Sequence, residues 1–133
     1  MKRVAPAALV LAAVLLAGCQ TEPFRSIGAD FKRAFGRSGG EAALTAGVQK
    51  YEEGKYPEAT KDLQTAIKQG LSSSDEVRAH KYLAFIDCVS ERVPACRDEF
   101  RKALRIDPGM ELSAAEAGHP IWGPVFRAVK AGR

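Results

Sequence analysis

GKYPEATKDLQTAI, residues 54–67, decides the fold, because the chain carries a related stretch 37 positions later. When the chain is aligned with itself at an offset of 37 residues, Pro57 matches Pro94 and Ala66 matches Ala103. The other matched pairs are Gly47 with Ala84, Ala59 with Cys96, Leu63 with Phe100, and Ile67 with Leu104. Proline suits the first turn of a helix, where its missing N–H would have no partner. The repeat therefore predicts two helical hairpins, in each of which small residues on both helices let the backbones approach closely.

The boundaries of the predicted helices carry their own signals. Residues 73–76, SSDE, match a capping box with Ser73 as the N-cap and Glu76 three residues later. Residues 107–109, DPG, are expected to end the fourth helix. No stretch shows a sustained alternation of polar and apolar residues, which a half-buried strand would need. The sequence therefore predicts an all-α domain over residues 41–133.

The chain beyond the second hairpin is too short for a third one. Residues 113–116, SAAE, predict a capped helical turn, and His119 is interpreted as a turn residue because a proline follows it. An apolar stripe then predicts a final helix, formed by Ile121, Trp122, Val125, Phe126 and Val129. We expect this helix to cover the open end of the second hairpin. The alternative is that Trp122 and Phe126 anchor a protein partner, since aromatic residues are common interface hot spots.

The two hairpins resemble the tetratricopeptide repeat family. The first copy carries the family's turn and second helix through Gly54, Tyr56, Ala59, Leu63 and Ala66. The second copy matches through Ala84, Phe100, Ala103 and Pro108, although Cys96 replaces the usual alanine. Ala43 stands where the family prefers tryptophan. The resemblance implies a concave groove lined by the first helix of each hairpin, with partner-binding positions at Leu44, Val48, Tyr51, Lys81 and Phe85. The alternative is that these side chains belong to the core.

The amino terminus predicts export and lipid anchoring. Lys2 and Arg3 precede an uncharged apolar run over residues 4–17, which is too short for a membrane-spanning helix of roughly 20 residues. Residues 15–19, LLAGC, resemble a bacterial lipobox. We therefore interpret residues 1–18 as a lipoprotein signal peptide and Cys19 as the acylated residue. The alternative is an ordinary signal peptide followed by a chance cysteine.

Residues 19–40 are interpreted as a tether between the lipid and the folded domain. In lipoproteins of this kind an aspartate after the acylated cysteine marks retention in the inner membrane, and Gln20 stands there instead. The expected location is therefore the outer membrane, on its periplasmic face. Apolar residues recur at helical spacing in the tether, at Phe24, Ile27, Phe31, Ala34 and Phe35. The tether is either a flexible spacer or an amphipathic helix on the membrane or on a partner.

Cys88 and Cys96 admit three interpretations: a disulfide, half of a metal site, or a catalytic thiol with a second cysteine nearby. If Cys19 carries the lipid, they are the only remaining cysteines, and a disulfide is the expected state in an oxidising compartment. It would close a nine-residue loop. The lower entropy of the cross-linked unfolded chain would then stabilise the folded state by about 2.6 kcal/mol. A zinc site would need His80 or His119 as further ligands, and His80 lies two helical turns before Cys88. We expect neither a metal nor a catalytic role.

The charge balance and the motifs argue against several functional classes. The chain has 20 basic and 16 acidic residues, of which six basic and two acidic ones precede residue 41. Fourteen of each remain and are interleaved, so no nucleic-acid-binding face is expected. The sequence lacks phosphate-binding and nucleophile motifs. Neighbouring carboxylates such as Asp98 and Glu99 are interpreted as solvated. We therefore expect no catalysis, no small-molecule substrate and no cofactor other than the lipid on Cys19.

The lipobox, the cysteine pair and the tail AGHPIWGPVF, residues 117–126, together resemble the TssQ family of lipoproteins associated with type VI secretion. The resemblance implies a lipid-anchored scaffold that binds a protein partner of the cell envelope, as an accessory of that secretion system. The alternative is a pilotin-like or cell-wall-associated repeat lipoprotein unrelated to secretion.

Overall fold

The computed structural model describes residues 39–132. The signal peptide, Cys19 and most of the tether lie outside the described residues, so the predictions about them stay predictions. Between residues 39 and 132 the chain forms six helices and no strand, so the all-α prediction is confirmed. The helices are α1 (Glu41–Glu52), α2 (Tyr56–Gln69), α3 (Ser73–Val89), α4 (Val93–Ile106), α5 (Ala114–Ala117) and α6 (Trp122–Ala131). Across this part of the chain, no helix has the length and apolar character required to cross a membrane.

The helices pair as two hairpins, α1 with α2 and α3 with α4. The Gly40 amide donates a hydrogen bond to the Gly70 carbonyl, which places the start of α1 beside the end of α2. Pro57 and Pro94 lie in the first turns of α2 and α4, as the sequence predicts. α3 also packs against both α1 and α2, so the two hairpins form one body.

The 37-residue repeat extends to the backbone of the hairpin turns. Gly54 has φ +74°, and the residue 37 positions later, Glu91, has φ +62°. The Gly54 amide donates to the Tyr51 carbonyl, and the Glu91 amide donates to the carbonyl of Cys88, again 37 positions later. Glycine adopts a positive φ without steric cost, whereas a glutamate there is uncommon. The turn geometry is therefore kept in the second hairpin although its sequence is less suited to it.

Close helix packing in the first hairpin depends on Gly47. A Cβ atom added to Gly47 would lie 2.8 Å from Leu63 Cγ, closer than real atoms approach. The sequence predicts a small residue opposite Gly47, and this detail is wrong because a fully buried leucine occupies the space that the glycine leaves. The glycine thus admits a large partner side chain between the two helices.

Side chains of serine residues cap two of the helices. The N-cap of α3 is Ser72 and not Ser73, because the Ser72 hydroxyl accepts a hydrogen bond from the Asp75 amide. Residues 72–74 are all serine, so the sequence is compatible with either Ser72 or Ser73 as the N-cap. The predicted capping box at Ser113 and Glu116 is confirmed.

The core consists of two clusters of buried side chains that share α3. The first cluster joins α1, α2 and α3, and its largest fully buried members are Leu63 and Ile86. The second joins α3, α4 and α6, with Phe85 and Phe100 at its centre. Trp122, Phe126 and Val129 of α6 are buried in the second cluster, which confirms that the final helix covers the second hairpin. Ile121 is 47% exposed and precedes α6, so its predicted place in the apolar stripe is wrong.

The disulfide prediction is confirmed by the positions of Cys88 and Cys96. Their sulfur atoms are bonded and their Cα atoms lie 5.1 Å apart. Both side chains are buried in the second core cluster. The bond joins the end of α3 to the start of α4, next to the turn that connects them.

Candidate partner-binding face

The residues predicted to bind a partner divide into two groups in the structure. Five of them are buried and belong to the core: Leu44, Val48, Phe85, Trp122 and Phe126. Leu44, Val48 and Phe85 therefore do not line an open groove, and Trp122 and Phe126 do not form an exposed anchor, because these apolar side chains fill the space between the helices of the domain itself. Tyr51 and Lys81 are only partly buried, and partner binding by these two stays a prediction.

Half-buried tyrosines lie next to one another where α1, α2 and α3 meet. The Tyr51 ring centroid is 5.0 Å from that of Tyr82 and 5.9 Å from that of Tyr56. Tyr82 packs edge-on against the buried Phe85, with 5.9 Å between ring centroids. We call the tyrosine face the set of residues Tyr51, Tyr56, Arg78, Lys81 and Tyr82. Sequence reasoning missed three of them: Tyr56, Arg78 and Tyr82.

Two cations flank the rings of the tyrosine face. The Lys81 Nζ lies 5.3 Å from the Tyr82 ring centroid, and the Arg78 guanidinium lies 6.0 Å from the same centroid. A cation within about 6 Å of an aromatic face is attracted by the ring quadrupole. Lys81 also forms a 2.6 Å ion pair with Glu116 of α5. The face therefore combines aromatic area with positive charge.

The ionisation of the tyrosine face follows from its surroundings. Burial, and then the neighbouring Tyr56, Tyr82 and Glu116, raise the pKa of Tyr51 to about 12. The Tyr51 phenol therefore keeps its proton at neutral pH. Burial pushes the pKa of Glu116 upward, but hydrogen bonds from Lys81 and Ser113 outweigh it and hold that pKa below its ordinary value. Glu116 is thus a carboxylate beside a protonated phenol.

The segment from residue 113 to residue 122 fixes one edge of the tyrosine face. The Trp122 indole Nε1 donates a hydrogen bond to the Glu116 carbonyl, and the Trp122 ring stacks on Phe85 with 4.4 Å between ring centroids. His119 stacks on the Trp122 ring, and its Nδ1 accepts a hydrogen bond from the Ile121 amide. The prediction that His119 is a turn residue is confirmed. These contacts hold Glu116 beside Lys81.

A second polar cluster joins α3 and α4 around the buried His80. The His80 Nδ1 lies 2.5 Å from Glu99 Oε2, and Lys102 Nζ donates to Glu99 Oε1 at 2.5 Å. The Glu99 side chain is only 13% exposed, so the prediction of a solvated carboxylate is wrong for Glu99, whereas Asp98 is 62% exposed as predicted. A histidine and carboxylate pair can activate a nucleophile. Cys88 and Cys96 are joined to each other in the disulfide. Within residues 39–132, no group of three His, Cys, Asp or Glu side chains is placed to hold a metal ion.

The Glu99 cluster predicts that acid destabilises the domain. Burial pushes the pKa of Glu99 upward, but hydrogen bonds from His80 and Lys102 outweigh it and hold that pKa below the ordinary 4.5. Because the folded-state pKa is lowered, the stabilisation is present above about pH 4.5 and is lost as the pH falls through the folded-state value. Urea unfolding between pH 7 and pH 3 should show the free energy of unfolding of the wild type falling in this range. The Glu99→Gln variant should be less stable at pH 7 and lose less on acidification.

Asp98→Asn is the matched control for this prediction, because Asp98 is the sequence neighbour of Glu99 and is mostly exposed. Its pH dependence should follow that of the wild type. An equally steep acid loss in the Glu99→Gln variant would contradict the role assigned to the buried carboxylate.

A scan against protein-family models, a search of curated proteins and a search of solved structures each find no match for this chain. Among the described residues, the tyrosine face is the aromatic surface that stays accessible once the core is formed.

Proposed function

We propose that the protein is a lipid-anchored periplasmic adaptor that binds a protein partner through the tyrosine face and performs no catalysis. The observation that carries this proposal is the set of half-buried tyrosines flanked by Arg78 and Lys81. Tyrosine and arginine are enriched in interface hot spots. A tyrosine ring adds a large amphipathic contact area at low entropic cost because it has only two side-chain torsions. The rigid edge at Glu116 supports the proposal, since a preorganised surface loses less entropy on binding.

The proposed location is the periplasmic face of the outer membrane. The lipid on Cys19 would hold the domain there, with residues 19–40 as the tether. The buried Cys88–Cys96 disulfide supports an oxidising compartment, because such bonds rarely persist in the cytosol. The resemblance to the TssQ family supports a partner in the envelope components of type VI secretion.

Metabolic labelling with radioactive palmitate tests the anchor. The wild-type chain should carry the label and fractionate with membranes, because Cys19 is the proposed acylation site. The Cys19→Ala variant should lose both the label and the membrane association. Cys88→Ala is the control and should keep the label. Labelled Cys19→Ala protein would contradict the proposed anchor.

Site-specific photocrosslinking in intact cells tests the partner-binding face. A photoreactive residue in place of Tyr82 should capture one envelope protein, identified by mass spectrometry. The same residue at Lys61, which is exposed on α2 and lies about 140° around the helix from Tyr56, is the control and should not capture it. Arg78→Glu should weaken the crosslink from position 82. Equal capture from both positions would contradict the proposed face.

The identity of the captured partner tests the proposed role in type VI secretion separately from the location of the binding face. If it holds, the captured protein belongs to the envelope complex of a type VI secretion system, and the genes of that system lie beside this gene. Capture of a cell-wall protein or of a component of another secretion system would support the pilotin-like or cell-wall-associated alternative.

A further inference from the structure

A groove of about 370 Å³ lies between α4 and α6, on elements that contribute nothing to the tyrosine face. Its lining residues are Arg101, Leu104, Arg105, Pro108, Ala128, Val129 and Gly132. The described lining therefore combines two arginines with an apolar surface and contains no acidic side chain. The volume lies at the small end of the range for binding sites, about 300–1,000 Å³.

The two arginines of the groove are accessible to a ligand. Arg101 and Arg105 are both exposed and lie one helical turn apart on α4. Arg101 is paired with Asp98 at 2.8 Å, but both side chains are more than half exposed, and such surface pairs contribute little to stability. Within residues 39–132, no ion pair involves Arg105, which makes its guanidinium available to an external anion.

The arginine pair belongs to the second hairpin alone. The positions 37 residues earlier, on α2, hold Gln64 and Lys68 in place of Arg101 and Arg105. α6 packs on α4 and α3 packs on α2, so in both hairpins the second helix is in contact with the helix that follows it. The arginine pair is therefore not required by the hairpin architecture.

We propose that the groove between α4 and α6 binds an acidic segment of a partner protein in which carboxylates recur at alternate positions. Side chains four residues apart on a helix are about 5–6 Å apart at Cβ. In an extended peptide, side chains at alternate positions point to one side with a spacing of about 6.6 Å. Two alternate carboxylates therefore match Arg101 and Arg105, and each guanidinium can hold a carboxylate with two parallel hydrogen bonds.

The depth of the groove favours a peptide over a phospholipid. Leu104 and Val129 are 1% and 8% exposed, so their side chains offer little accessible surface to an acyl chain. The accessible apolar surface at its sides comes from Pro108 and Ala128, and the methylene groups of the two acidic side chains can pack against it. The site is independent of the tyrosine face, so an adaptor would hold two partner segments at once.

Fluorescence anisotropy of a fluorescein-labelled peptide tests this site on the full-length chain in detergent. In the peptide, three aspartates alternate with two leucines. Arg105→Glu should weaken its binding at least tenfold, because it replaces an attractive charge by a repulsive one. Lys68→Glu is the matched control: it makes the same charge change in the last turn of α2, at the equivalent position of the repeat, and should change binding less than twofold.

Three further measurements decide the outcome. Ala128→Asp, at an exposed position of the groove, should also weaken binding while circular dichroism shows unchanged helix content. A peptide of the same composition with its aspartates grouped together should bind at least fivefold more weakly. The proposal is overturned if Lys68→Glu weakens binding as much as Arg105→Glu, or if the wild type does not bind the peptide. Displacement by dihexanoyl phosphatidylglycerol at lower concentration than by unlabelled peptide would identify a phospholipid site and would also overturn it.

Discussion

Replacement of Phe85 by alanine is expected to lower the free energy of unfolding by about 3–5 kcal/mol, the usual cost of removing a buried phenylalanine ring. Phe85 is 1% exposed, and its ring stacks on Trp122 and packs against Phe100 at 6.1 Å between centroids. The side chain thus joins α3 to both α4 and α6. Small domains are stable by about 5–15 kcal/mol, so a substantial part of the stability should be lost. Urea unfolding followed by circular dichroism measures the change.

Ile121→Ala is the control for this prediction, because Ile121 is a large apolar residue that is exposed. Its free energy of unfolding should stay within about 0.5 kcal/mol of the wild type. A loss below about 1 kcal/mol for Phe85→Ala would show that the ring does not pack as described.

Removal of the disulfide is expected to cost about 2.6 kcal/mol in the double variant Cys88→Ala with Cys96→Ala. The bond limits the conformational freedom of the unfolded chain over residues 88–96, and the fold has only two hairpins to bury its core. For a domain of this size, roughly 4–8 °C of melting temperature are lost per kcal/mol. Thermal unfolding should therefore begin at a clearly lower temperature in the variant.

Reduction provides the control for the disulfide. A reductant should lower the melting temperature of the wild type and leave that of the double variant unchanged, because the variant has no bond between α3 and α4 to reduce. Equal melting temperatures for the wild type with and without reductant, with both thiols shown to be free in the reduced sample, would contradict the stabilising role.

Local signals in the sequence were sufficient to predict the helices and several of their contacts. The 37-residue displacement predicted two hairpins because the same spacing of small and apolar residues recurs, and helix pairing depends on that spacing. Pro57, Pro94 and the Ser113 cap marked helix ends because they act on backbone groups of their own turn. The disulfide was predictable because Cys88 and Cys96 flank one short turn. Each of these features depends on residues close together in the chain.

The tertiary structure decided which side chains remain on the surface. Leu44, Val48 and Phe85 were possible groove residues from the sequence, but they are buried, because the interior of a small domain must be close-packed and few other large side chains can fill it. Glu99 became a buried partner of His80 only when α4 packed against α3. The arginine groove likewise exists only because α6 lies beside α4. The sequence by itself determined the helices, the turns and the cysteine pair, since these depend on neighbours along the chain. Burial depends on contacts between distant segments, and the fold alone determined it.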